Sequence, residues 1–178
     1  MVLPKPLRFF CFLFCIGFSD PACWAVDSNL AALKTAFVFN FIKFIDWPAP
    51  ASEDEVFHLC LNGVADELEK HLLLLNGNRA GHQEISVTTI QEDAHFNHCE
   101  MVFIGQSIDV AWIVDSLKYK PVVTVSDQSN FVEQWGMLEL VEQNNRLNYK
   151  VNLDAARLAD VHIKAPLLKL AQKVIASP

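Results

Sequence analysis

Two short apolar runs, MVFIG at 101–105 and PVVTVSD at 121–127, limit the fold more than any other feature of the chain, because each fits a buried central strand. Strands of that kind belong to sheets with helices on both faces. The surrounding pattern supplies the rest. VFHLCLNG (56–63) has the form of a strand ending at Gly63, and ADELEKHLLLL (65–75) carries helical spacing with acids in its first turn. NGNRAGH is turn chemistry, and EISVTTI (84–90) sets Ile85, Val87 and Thr89 against polar neighbours. SIDVAWIVDSL predicts a helix with Ser107 as its N-cap, and NFVEQWG a short helix closed by Gly136. MLELVEQ and RLNYKVN alternate with period two around Asn144 and Asn145, which predicts a β-hairpin. LDAARLADVHI gives a helical turn or two, and APLLKLAQKV a closing helix with Pro166 near its first position. The order α-β-α-β-β-α-β-α-β-β-α predicts one α/β domain: a mixed central sheet, helices on both faces, the parallel part in the middle and the hairpin at one edge.

Ahead of all this stands KTAFVFNFIKFIDWP, 34–48, with Phe37, Phe39, Phe41, Phe44 and Trp47 in fifteen positions. Leu33, Phe37, Phe41 and Phe44 fit one helical face, while Val38, Ile42 and Ile45 supply a second, so a core helix covered on both sides is expected. Lys34, Asn40, Lys43 and Asp46 interrupt any apolar run near the roughly 20 residues that a membrane span requires. Pro48 disfavours helix at Trp47 and is expected to end it there. Asn40 is expected to be buried and tied to neighbouring backbone, since a buried amide is costly unless it is satisfied.

The first 25 residues have the form of a secretory signal peptide: a basic start (MVLPKPLR), a ten-residue apolar run (FFCFLFCIGF) and a small-residue cleavage site closing at Ala25. The mature chain of 26–178, about 150 residues, suits a single domain able to bury its own core. Setting Lys5, Arg8 and Asp20 aside from the 14 basic and 21 acidic residues leaves 12 and 20, a net charge near −8. Such an excess repels nucleic acid phosphate, so no nucleic acid partner is expected. Cys11, Cys15 and Cys23 leave with the leader; Cys60 and Cys99 remain in an oxidising compartment, where a disulfide is their expected state.

Sites for chemistry are sparse. LNGVAD and IGQS put Gly63 and Gly105 at strand-to-helix turns, yet neither has a dinucleotide or P-loop pattern. HFNHC sets His95, His98 and Cys99 within five residues, and His58 lies two before Cys60, but a disulfide removes both thiolates, so no metal is expected. No G-x-S-x-G elbow is present. Ser126 and Asp127 follow a strand, where a ligand or a helix cap is equally at home. Asp109, Asp115, Asp154 and Asp160 fit solvated helix faces. Neither an enzyme nor a cofactor is indicated.

Across nearly the whole mature length the chain resembles the YfiR-like periplasmic proteins. The opening stretch is similar to that family's N-terminal signature at Lys34, Phe37, Asn40, Phe41, Lys43, Phe44, Trp47 and Pro48, and LCLNG, MVFIG, PVVTVSD, YKVNLDAARLADVHI and APLLKLAQKV resemble its later blocks. The resemblance implies a non-enzymatic α/β protein of the periplasm that binds the periplasmic domain of a membrane diguanylate cyclase and represses it, touching the membrane only through that partner. It also implies a disulfide at Cys60 and Cys99, with redox stress as a release signal, and leaves a homodimer open. The chain departs from the family in lacking a second cysteine pair and in carrying Gln134 to Met137, QWGM, where Gly-Gly is usual. The partner surface is expected at Trp135, Val161, Ile163 and Leu167, around the apolar block that precedes the closing helix. The competing expectation is a small-ligand or metal-binding protein serving another membrane sensor, with its site at the strand ends near Gly63, Gly105 and Ser126.

Overall fold

The computed structural model describes residues 22–48, 56–91, 96 and 98–177. The two apolar runs lie side by side as parallel strands β5 (Met101–Ile104) and β6 (Val123–Ser126), with all eight residues buried. Alternation sends Met101 and Phe103 into a larger core on one face of the sheet, and Val102 and Ile104 into a smaller core on the other. β2 (Val56–Asn62) pairs parallel with β5 on one side and with β4 (Gln83–Ile90) on the other. β7 (Leu138–Gln143) continues the parallel set beside β6, then turns back as β8 (Arg146–Asn152), with Asn144 and Asn145 both at positive φ in the hairpin turn. β3 (Arg79–Ala80) and β10 (Lys173–Ile175) complete the order β10-β8-β7-β6-β5-β2-β4-β3. The α/β class is as expected: a mixed eight-stranded sheet, parallel at its centre.

The larger core belongs to α1 (Ala22–Phe44), which buries Ala31, Thr35, Val38, Phe41 and Ile42. Phe41 sits edge-on to Phe37 and to Tyr149, with ring centroids 6.3 and 5.2 Å away. Full burial of one such ring stabilises by roughly 1.5–3 kcal/mol. Asn40 departs from expectation: it is exposed, because the buried stripe runs through 31, 35, 38 and 42 and leaves position 40 on the far side. The helix also stops at Phe44, short of Trp47. Ile45 and Asp46 form β1, paired antiparallel with β9 (His162–Ile163), so a strand pairing ends the helix before Pro48 can. Trp47 then donates its indole N–H to the Glu100 carbonyl at 2.9 Å and packs its ring on Phe57 at 4.9 Å, fixing the helix exit.

Three local expectations are corrected. Asp109, and not Ser107, caps α3 (Val110–Leu117), accepting from the Ala111 amide. The short helix is a single 3-10 turn (Val132–Gln134) closed by Trp135 at φ 68, and not by Gly136. The closing helix α5 (Ala165–Leu170) does start at its proline but ends at Leu170, because Ala171 turns extended and the Gln172 amide donates to Tyr149, feeding 173–175 into β10 beside β8. The hairpin therefore gains one outer neighbour at its edge of the sheet. The expected leader, 1–25, falls largely outside the described residues. Among these, no helix is long and apolar enough to cross a membrane.

Candidate functional site

An open parallel sheet offers a ligand crevice where the strand order reverses, outside the carboxyl ends of the strands. Here the chain leaves β2 for β4 through α2 (Asp66–Leu73) and returns to β5 on the opposite side of β2, so the reversal lies between Gly63 and Gly105. That crevice is filled by the protein itself. The Gly105 amide donates to the Asn62 carbonyl at 2.8 Å, and a methyl group on Gly105 would fall 1.8 Å from the Gly63 oxygen. Gly63, at φ 60, lies under Ile108, whose Cγ1 would meet an added methyl at 2.3 Å. Ser107 Oγ donates to the Gly63 carbonyl at 3.1 Å. Both glycines thus serve the close approach of two loops.

Ser126 and Asp127 are absorbed in the same way. Ser126 Oγ donates to the Ile104 carbonyl at 2.7 Å and accepts from the Gln128 amide at 3.0 Å, while Gln128 Nε2 donates to the carbonyls of Gly105 and Ile108. Asp127 accepts from Lys34 of α1 at 2.5 Å, with only 14% of the lysine and 9% of the aspartate side chain exposed. That ion pair explains why a lysine interrupts the aromatic stretch, and no local pattern announces it: the partners stand 93 positions apart. Among the described residues one buried polar atom at this end is left without a partner, Asn62 Oδ1, although the same amide donates to Gln91.

On the smaller-core face, Cys60 of β2 and Cys99 form the expected disulfide, with their Cα atoms 5.9 Å apart. His98 brings Nε2 to 3.8 Å from Cys60 Sγ. His58 sets Nδ1 3.2 Å from Glu100 Oε2, and its ring lies 6.3 Å from that of His98. His95 lies outside the described residues. Phe96, three residues before Cys99, packs on Trp112 of α3 at 5.9 Å, so the bridged loop touches the helix that covers this face.

Of the four expected partner residues, Val161, Ile163 and Leu167 are buried in the larger core, and Leu168 packs against it. The cause is the β1–β9 pairing, which draws Ile163 in opposite Ile45. Trp135 alone is at the surface, 47% exposed. A left-handed conformation costs a non-glycine residue about 1–2 kcal/mol and is rare unless its surroundings enforce it. Here Gly136 enforces it: its amide donates to the Phe131 carbonyl at 3.0 Å, and it lies so close to the Phe131 ring that a methyl group would be 2.2 Å away. Lys118 Nζ stands 4.8 Å over the Trp135 ring and 5.7 Å over that of Tyr119, which is 72% exposed. Trp112, 44% exposed, lies on α3, about 1.7 turns back from its C-cap Lys118. Trp112 and Tyr119 were not anticipated, yet the signal was present: Val110, Ile113, Val114 and Leu117 make the buried stripe, and the two aromatics fall outside it.

Beside this surface, β7, β8, β10 and the 3-10 turn carry a ladder of alternating charge. Glu139 and Glu133 alternate with Lys150 and Lys173, the contacts ranging from 2.9 to 4.0 Å. Hydrogen bonding to Lys173 holds the Glu133 carboxyl below the ordinary range. The described residues thus offer exposed aromatic rings, the Lys118 cation over two of them, and a crevice that the protein itself fills.

A family model described as YfiR/HmsC-like matches residues 31–172. A comparison with curated proteins gave no match.

Proposed function

The chain belongs to the YfiR/HmsC-like family, and from that premise we propose that it binds the periplasmic sensor domain of a membrane diguanylate cyclase and holds it inactive. At the level of the family, the function is that of a periplasmic regulator of a diguanylate cyclase. The protein acts by stoichiometric contact, without chemistry of its own, and so lowers cyclic di-GMP and biofilm growth. The observation that carries this reading is the family match, which takes in α1 from residue 31, the central parallel strands β2, β4, β5, β6 and β7, the disulfide and the Trp135 turn. The filled crevice at Gly63, Gly105 and Ile108 supports a contact role over the competing small-ligand one. We place the contact on Trp135, Tyr119 and Trp112. Because Phe96 joins Trp112 to the bridged loop, reduction of Cys60–Cys99 would loosen that surface, which gives a redox stress a route to the partner.

The test is co-purification of the mature protein with membrane partners, together with cyclic di-GMP measured in cells. Asparagine accepts the left-handed conformation, so Trp135→Asn removes the ring and leaves the turn. A folded Trp135→Asn protein that no longer captures a cyclase and no longer lowers cyclic di-GMP is the expected result. Unchanged capture and repression by Trp135→Asn and Tyr119→Ala would move the contact elsewhere. Failure of the wild-type protein to capture any cyclase would reject the partner itself.

A further inference from the structure

The corner that holds the disulfide contains more than a bridge needs. Cys60 Sγ, Cys99 Sγ and a ring nitrogen of His98 all lie within 4.8 Å of one another, and the His58 ring is 6.3 Å from that of His98. While the sulfurs are joined, neither is a thiolate and they cannot act as strong ligands. We propose that reduction of Cys60–Cys99 turns this corner into a site for one thiophilic d10 cation, Zn(II) or Cu(I), held by both thiolates and His98, with His58 as the fourth donor. This goes beyond the repressor reading and does not depend on it.

The reduction balances with a dithiol as reductant. Two electrons from the dithiol break the S–S bond, its two protons pass to the cysteine sulfurs, and the reductant leaves as its own disulfide. Cation binding then displaces those two protons, since the thiolate is the ligand. Tetrahedral coordination with metal–sulfur bonds of ~2.3 Å and metal–nitrogen bonds of ~2.0 Å needs donors about 3.5–4 Å apart, which rotation of the three side chains reaches from the present spacing.

Hydrogen bonds hold the backbone beneath in addition to the bridge. Cys60 lies in the middle of a strand paired on both sides, the Cys99 amide donates to Phe96 at 3.1 Å and the Glu100 amide to His58 at 3.0 Å. The Glu100 carbonyl accepts from both the Val123 amide and the Trp47 indole. The thiols are buried while His98 is exposed, which places the most accessible donor at the mouth, where a cation would arrive. Glu100 Oε2 stands 3.2 Å from His58 Nδ1, and a carboxylate against one ring nitrogen is the arrangement that orients most metal-bound histidines. Glu100 acts here as a positioning residue.

The mature protein is prepared oxidised and, in parallel, reduced with dithiothreitol that is then removed without air. Each form is titrated with Co(II) followed by absorption, then with Zn(II) and with Cu(I) against chromophoric chelators. The reduced form should take up one Co(II) with a thiolate charge-transfer band, and the oxidised form none. His98→Ala should weaken binding by at least about tenfold, while His82→Ala, at a histidine outside the cluster, leaves it unchanged. Zn(II) should raise the melting temperature of the reduced protein, which keeps the test decisive even where reduction loosens the fold. The proposal is overturned by equal uptake in the two redox states, by full affinity in His98→Ala, or by a reduced protein whose melting Zn(II) does not change.

Discussion

Trp135 shows how a single residue can be visible in a sequence while its conformation is not. A glycine after a short helix invites the reading that the glycine is the left-handed residue. The backbone instead turns at Trp135, φ 68, and Gly136 is needed because the Phe131 ring leaves no room for a side chain. Trp135→Gly should therefore fold as well as the wild type or better: relief of about 1 kcal/mol of backbone strain offsets the ~0.5–1 kcal/mol lost with the exposed cation–π contact. Gly136→Ala should destabilise sharply through the Phe131 clash. A melting comparison of the two variants checks both signs. Phe41 is the opposite case, legible from helical spacing alone, and fully buried between Phe37 and Tyr149. Phe41→Ala should cost about 3–5 kcal/mol in denaturant unfolding. Asn40 misled because a polar residue within an aromatic run looks buried, and only the rotation of the helix on the sheet decides that it is exposed.

At the scale of elements, periodicity foretold the strands and helices wherever burial alone sets the pattern, as in β5, β6 and the β7–β8 hairpin. It failed at the chain's end, where LKLAQKV has helical spacing but 173–175 pair with β8. A strand made by long-range pairing leaves no local mark, and β1 and β9 went unseen for the same reason. Two carboxylates tie this last strand down. Glu133 is lowered chiefly by its hydrogen bond to Lys173, and Asp154 by hydrogen bonds from the Ser177 hydroxyl and amide. A carboxyl whose folded pKa is depressed contributes stability above its unfolded value and loses it as pH falls through the folded one. The unfolded values lie near 4.5 and 3.8, so the tethers should be intact at pH 6 and released progressively below about pH 4. Hydrogen exchange over 172–177, corrected for intrinsic rates, should show β10 opening at pH 3 while β5 and β6 stay protected. Equal protection at the two pH values would mean that the strand is held by its ladder alone.

Among the cross-links that span long separations, the disulfide and the Lys34–Asp127 ion pair differ in how far the sequence disclosed them. The disulfide was accessible by counting, since two cysteines remain beyond the expected leader. Its loop of 39 positions is worth about 4 kcal/mol on a chain-entropy estimate, so the double replacement Cys60→Ala and Cys99→Ala should lower the melting temperature by on the order of 10 °C. The Lys34–Asp127 pair was invisible, because each residue has an ordinary local reading and only the packing of α1 across the end of β6 brings them together. A buried ion pair is a weak source of net stability, but one broken on a single side leaves an unpaired charge, at a cost of about 3–5 kcal/mol. Lys34→Met should therefore be strongly destabilising, since it strands Asp127 with 9% of its side chain exposed. The double variant Lys34→Met with Asp127→Leu should recover most of that loss, because two apolar side chains can fill the space without a charge to satisfy. Denaturant unfolding of the four proteins in the cycle gives the coupling directly. A single variant as stable as the wild type would mean that Asp127 reaches solvent by a small movement and that the pair does not clamp the helix. Recovery in the double variant, together with loss of repression in cells, would assign the charge itself to function, since the fold would then have been shown to do without it.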